Sequence, residues 1–155
     1  MKGNEKIIEN LNFLLEDELT AINQYIVHSE MCANWGYERL HKSIEKRAIE
    51  EMKHVEKLIA RILFLDGMPI VSNLNKVKIG ALVENQLKND LVAEENTAKI
   101  YNEGIHLAVK LNDNGTRDLL EANLLDEERH IDWIAAQLSQ IKQMGIQNYL
   151  ADQTA

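Results

Sequence analysis

Residues 124–133 read LLDEERHIDW and residues 48–55 read AIEEMKHV. Each stretch holds a Glu-x-x-His, from Glu51 to His54 and from Glu127 to His130. Positions i and i+3 share one face of a helix, so both side chains of either pair can reach a common point. That reading needs helix at both places. The surroundings supply it: apolar residues recur at spacings of three and four, and Ala, Leu, Glu, Lys and Gln abound beside a single proline, Pro69.

Outward from these stretches, the pattern predicts four long helices. Ile7, Ile8, Leu11, Leu14, Leu15, Leu19, Ile22 and Ile26 mark the apolar stripe of a helix over 5–34, broken at Trp35-Gly36-Tyr37. A second helix over 38–65 stops at the turn signal Asp66-Gly67-Met68-Pro69. Residues 66–80 are irregular. A third helix over 82–111 ends at Asn112-Asp113-Asn114-Gly115, and a fourth over 117–143 starts from a Thr116 cap and ends before Gly145. Residues 146–152 are expected to add one or two turns. The first and third connections are short, so the helices they join should be antiparallel neighbours. The middle one is long enough, at roughly 3.3 Å per residue, to run the length of a bundle. The expected fold is all-α: a ferritin-like four-helix bundle with one long crossover and a short fifth helix, as one domain over 1–155.

A weak repeat supports a site between the two halves. At an offset of 76, Glu18 corresponds to Glu94, Glu51 to Glu127, His54 to His130, Leu15 to Leu91, Tyr25 to Tyr101, Glu50 to Asp126 and Lys53 to Arg129. Most other positions differ, so the halves share mainly the polar residues that would face the bundle interior.

Glu18, Glu51, His54, Glu94, Glu127 and His130 therefore form the candidate catalytic and metal-binding set. One glutamate from each of two helices plus a Glu-x-x-His from each of the others is the ligand pattern of di-iron carboxylate bundles. Four buried carboxylates repel one another unless cations balance them. Two divalent ions would do so, with two neutral imidazoles completing the set. Mixed imidazole and carboxylate donors suit iron, manganese or zinc rather than soft copper sites. Six side chains shared by two metals also leave coordination positions open.

Tyr25 and Tyr101 each follow a candidate glutamate by seven residues, nearly two turns, and so share its face. Each hydroxyl is a candidate partner of a ligand carboxylate; the alternative is a tyrosine packed in the core. Met52 is rotated about 100° from Glu51 and points elsewhere. By position it reads as packing against a helix or a second chain, although a thioether can also ligate haem. His28, His41 and His106 lack partners at ligand spacing and are expected at the surface or at helix ends. Cys32 reads as a buried or interface thiol, and Glu128, Arg129 and Asp132 as an ordinary charged face.

Composition narrows the classes. A formal net charge of −8 argues against a nucleic-acid groove. The single cysteine excludes an intrachain disulfide and a four-cysteine metal site, and favours a reducing cytoplasmic setting. The first twenty residues contain no unbroken apolar run of the secretory kind, and no apolar stretch approaches the roughly 18–20 residues that span a bilayer.

These residues carry a family likeness. The chain resembles the bacterioferritins over nearly its whole length, most specifically around Glu51-Met52-Lys53-His54 and LLDEERHIDW, and also in its opening 31 residues. Ordinary ferritins usually lack the second His. Rubrerythrins share a similar site but carry a four-cysteine iron domain that this chain cannot supply. The resemblance implies a shell of 24 subunits built from dimers, a ferroxidase centre with two iron ions per subunit, and a ferric mineral core. It further implies haem b between two subunits, ligated by the methionine at position 52 of each, with Leu19, Asn23, Ile26 and Ile49 along its pocket. Haem would help return electrons to the mineral, and a small ferredoxin is the candidate reductant. Some members carry His and Asp at the positions of Lys46 and Glu50. Lys46 cannot serve as that ligand, which argues against an auxiliary inner-surface iron site.

The expected function is iron storage and detoxification by a cytoplasmic ferroxidase that oxidises Fe(II) with O₂ or peroxide. Two alternatives keep the same fold: a di-iron scavenger of peroxide or O₂ that does not mineralise, and a haem-binding electron-transfer bundle holding inert zinc.

Overall fold

The structure, a computed structural model, describes residues 1–155. It contains α1 (Glu5–Asn34), α2 (Glu38–Phe64), α3 (Val83–Lys110), α4 (Asn114–Met144) and α5 (Ile146–Ala151), with no strand. The Asn4 side chain caps α1 by accepting from Lys6 N–H, and the chain turns into α2 at Gly36 with φ +84°. Thr116 is not the cap of α4. Asp113 is: its carboxylate accepts the Thr116 N–H at 3.0 Å, so the helix starts three residues earlier than expected. Asp113 also takes Arg61 Nη2 at 2.7 Å, tying the start of α4 to the end of α2.

The chain runs as two helical hairpins, α1 with α2 and α3 with α4. These join mainly through α1 and α3, with a thinner contact between α2 and α4. The crossover over 65–82 lies along α1, which holds its backbone with one polar stripe. Asn12 bonds Met68 O and Ile70 N, Thr20 Oγ1 accepts from Asn75 N, Gln24 Oε1 from Lys78 N, and His28 Nε2 from Gly80 N. The spacing of that stripe is a multiple of four, so it stays on one face of α1. The crossover thus carries the chain back to the far end of the bundle, and α3 starts antiparallel to α1.

The core is split in two. Ile7, Leu11, Leu14, Leu15, Leu58 and Ile62 lead one apolar cluster, and Tyr25, Leu40, Ile44, Leu87, Ile134 and Tyr149 lead the other. Between them the bundle interior turns polar. α5 closes the far end through the buried Tyr149, whose hydroxyl bonds Gln137 at 2.7 Å.

Candidate metal centre

Each long helix brings its carboxylates to the polar layer because the ligand positions continue its apolar stripe. Glu18 follows Leu11, Leu14 and Leu15 on α1, and Glu51 precedes Val55 and Leu58 on α2. All six sequence-predicted residues are buried and meet there. Two overlapping sets of donors result. Glu18, Glu51, His54 and Glu127 have ligand atoms within 4.8 Å of one another, and so do Glu51, Glu94, Glu127 and His130. Glu51 and Glu127 belong to both sets. Such sets could hold two adjacent cations that share Glu51 and Glu127, each with one further glutamate and one imidazole.

The imidazoles are oriented from behind. His54 Nδ1 faces the carboxylates, 3.0 Å from Glu51, 3.1 Å from Glu127 and 3.3 Å from Glu18, while its Nε2 meets Asp126 Oδ2 at 2.9 Å. His130 Nδ1 likewise faces Glu51 at 2.9 Å and Glu94 at 3.3 Å, with Nε2 against Glu50 at 2.5 Å. A carboxylate on Nε2 fixes the hydrogen there and leaves Nδ1 free to bind a cation. Asp126 and Glu50 are the repeat-related pair, and each serves the histidine of the opposite half. Arg129, expected on a plain charged face, holds Asp126 in place. Tyr25 donates to Glu94 Oε1 and Tyr101 to Glu18 Oε1; Asn123 Nδ2 in turn donates to the Tyr101 hydroxyl at 3.2 Å.

Without cations the cluster holds its protons tightly. Burial opposes charging either histidine, yet the Glu18 and Glu51 carboxylates facing His54 hold it up at about 11, and Glu51 and Glu94 facing His130 hold it up at about 10. Burial and the facing Glu51 raise Glu18 to about 8, and burial with three neighbouring carboxylates raises Glu127. Glu18 Oε2 and Glu127 Oε2 are buried without a hydrogen-bond partner, and Glu51 Oε1 and His130 Nδ1 meet only as an ion-pair contact at 2.9 Å. Unsatisfied carboxylate oxygens converging in a dry interior are what a bound divalent ion would satisfy.

His28 departs from expectation. It is fully buried, not at the surface, and belongs to a polar network beside the centre. Asp90 accepts from Gln24 Nε2 at 2.8 Å, His28 Nδ1 at 2.8 Å and Arg47 Nη2 at 2.7 Å. Arg47 precedes Glu51 by four and Asp90 precedes Glu94 by four, which puts both on the inward faces of their helices, although spacing alone does not name their partners. His41 is half-buried, bonded to Ser29, and His106 is exposed. Cys32 is buried, and burial pushes its thiol up to about 12. Met52 points away from the centre and is 46% exposed, in a shallow apolar groove with Ile22, Ile26, Ala48 and Ile49. No helix is long and apolar enough to cross a membrane.

Comparison with known proteins places this architecture. The family described as Ferritin-like domain matches residues 8–144. A bacterioferritin of Brucella melitensis is 40% identical over 149 residues, covering 96% of this chain and 92% of the relative. One of Rhodobacter capsulatus is 38% identical over the same shares, and one of Mycobacterium leprae is 36% identical over 97% of this chain and 95% of its own. With likeness at that level along nearly its whole length, and with the bundle and crossover described above, the chain belongs to the bacterioferritin family of ferritin-like proteins.

Proposed function

We propose that the chain is an iron-storing ferroxidase, taking Fe(II) as substrate at the centre formed by Glu18, Glu51, His54, Glu94, Glu127 and His130. The observation that carries this reading is the pair of overlapping four-residue donor sets that share Glu51 and Glu127. Two Fe(II) held side by side can each release one electron in a single encounter. O₂ takes the pair with two protons and leaves as hydrogen peroxide, or peroxide takes the pair with two protons and leaves as two waters. The protein's part is to bind and orient. The bridging carboxylates fix the separation of the ions, the Nε2 contacts of Asp126 and Glu50 aim the imidazoles, and the two apolar clusters keep bulk water out. The ferric product then collects in the cavity of a homo-oligomeric shell, of 24 subunits by family likeness, in the cytoplasm.

Haem b fits the face outside the bundle. Met52, Ile26 and Ile49 are large apolar side chains left exposed together, and such a patch calls for a cover. Met52 from each of two chains would hold the haem iron, with Leu19 and Asn23 nearby on α1. The group would supply an electron path for reductive release of stored iron, drawing on a small ferredoxin.

Aerobic Fe(II) titration of the metal-free protein tests the proposal. A fast phase that saturates near two iron per chain, followed by slower uptake into a soluble product, supports storage. Oxidation that halts at two would reduce the protein to a non-storing scavenger. Absence of a fast phase would remove the ferroxidase assignment.

A further inference from the structure

The centre looks nearly symmetric, because the offset of 76 that relates Glu18 to Glu94 and Tyr25 to Tyr101 also relates their partners. One layer out, the symmetry fails. Arg47 on α2 corresponds to Asn123 on α4. Both are buried, at 3% and 0% exposure, and each stands against the tyrosine of its own half: Arg47 Cζ lies 4.3 Å from the Tyr25 ring centroid, and Asn123 donates to the Tyr101 hydroxyl. One half therefore has a buried guanidinium where the other has a neutral amide.

The guanidinium's charge is only partly spent. Arg47 Nη2 bonds Asp90 at 2.7 Å, but its Nη1 and Nε have no hydrogen-bond partner, and Nη1 is 3.9 Å from Glu94 Oε1. Asp90 divides its acceptance among Arg47, Gln24 and His28. Gly80 N–H donates to His28 Nε2, so Nδ1 carries the ring hydrogen that faces Asp90. The position corresponding to Asp90 in the other half is Leu14, and that corresponding to His28 is Gly104. The whole charged network is thus one-sided, and its uncommitted positive edge is turned toward Glu94.

We infer that the two metal positions are unequal and fill in order, the position of Glu18 and His54 first and tightly, that of Glu94 and His130 second and more weakly, with Arg47 as the residue that sets the difference. This rests on the metal-centre reading above. Glu94 shares its charge between a guanidinium and the cation, whereas Glu18 faces only the Tyr101 hydroxyl and the ligand cluster. A positive charge within several ångströms of a divalent ion in a poorly screened interior opposes binding by well more than thermal energy, even after a neighbouring carboxylate offsets part of it. A difference of about tenfold or more in dissociation constant follows.

The test is titration of the metal-free protein with Co(II), read by visible absorbance and calorimetry. Two resolved steps are expected, the second at least about tenfold weaker. His54→Ala should remove the tight step and His130→Ala the weak one. The double variant Arg47→Gln/Asp90→Asn, which removes both charges without stranding either, should bring the two steps of a folded protein together, while Arg47→Lys should keep them apart. Two equal steps in the parent protein, loss of the weak step in His54→Ala, or steps unmoved in a folded Arg47→Gln/Asp90→Asn would each overturn the inference while leaving the centre standing. Fewer than two Co(II) bound per chain at saturation would overturn the centre itself, and the order of filling with it.

Discussion

Tyr25 reaches past Glu18 on its own helix and gives its hydroxyl hydrogen to Glu94 on α3, 2.7 Å away. Tyr101 does the converse, donating to Glu18 at 2.6 Å. A separation of seven residues is about 10 Å along a helix axis, too far for a tyrosine to hold its own glutamate. Because α1 and α3 are antiparallel, the glutamate of the opposite half lies at the right level. The two hairpins are therefore cross-tied at the centre, and on the proposed function metal affinity would be linked to their packing.

Removing either tie should loosen a ligand without deleting it. Tyr25→Phe and Tyr101→Phe are each expected to weaken metal binding by about 10- to 100-fold while keeping two ions per chain at saturation. A buried hydrogen bond to a carboxylate contributes about 1.5–3 kcal/mol, so the metal-free variants should remain folded. Competition against a chelator of known affinity measures the loss. Affinities equal to those of the parent would mean that the hydroxyls do not orient Glu94 and Glu18.

Loading the centre should release protons. At neutral pH the metal-free cluster holds His54 and His130 charged, at about 11 and about 10, because carboxylates face their Nδ1 atoms. A metal needs that nitrogen unprotonated. Binding two divalent ions at pH 7 should therefore release two protons or more, measurable with an indicator dye in weak buffer. Raised histidine values also mean that the folded, metal-free protein binds more protons than the unfolded chain above about 6.5. Its stability from these groups is complete below that pH and is lost as pH rises through about 10 to 11. Thermal melts from pH 6 upward should show a falling Tm without metal and a flatter profile with it. A Tm that rises over that range would contradict the protonated cluster.

The helices and the convergence of the six buried residues were legible in the sequence for one reason: the apolar stripe and the Glu-x-x-His spacing follow the same helical period. Glu5–Asn34 coincides with the expected first helix, and the remaining boundaries fall within about three residues. The start of α4 was missed because Thr116 and Asp113 are both good caps, and only the structure chooses between them. Arg47, Asp90 and His28 escaped because a charged residue on a helix ordinarily faces water. Only a partner from a distant helix makes its burial tolerable, and no short-range pattern encodes that partner. The crosswise ties of the tyrosines and of Glu50 and Asp126 were out of reach for the same reason, since they depend on which helices are antiparallel neighbours.

The crossover gives a test of local against global stability. Asn12 bonds both Met68 O and Ile70 N at the exposed start of that segment. Asn12→Ala should cost about 1–2 kcal/mol and speed amide exchange at Ile70 while leaving metal loading unchanged. Leu11, one residue away, is wholly buried in the first apolar cluster. Leu11→Ala should instead cost about 2–5 kcal/mol and destabilise the bundle as a whole. Equal exchange at Ile70 in Asn12→Ala and the parent would mean that the crossover is held elsewhere.

α2 would serve both proposed sites from adjacent positions, and substitution at Met52 should separate them. Glu51 is buried at the centre, while Met52, turned by about 100°, is half exposed on the opposite side with Ile26 and Ile49. Met52→Leu preserves apolar volume and removes only the sulfur that would ligate haem iron. It should abolish haem binding, read from the Soret band after reconstitution, and leave the fast Fe(II) oxidation phase unchanged. Ile49→Glu should act differently, placing a charge in the groove itself and weakening chain association as well as haem uptake. Sedimentation would then show smaller assemblies. Haem retained in Met52→Leu would reject the thioether as ligand. A lost oxidation phase in the same variant would mean that the two faces of α2 are coupled and not independent.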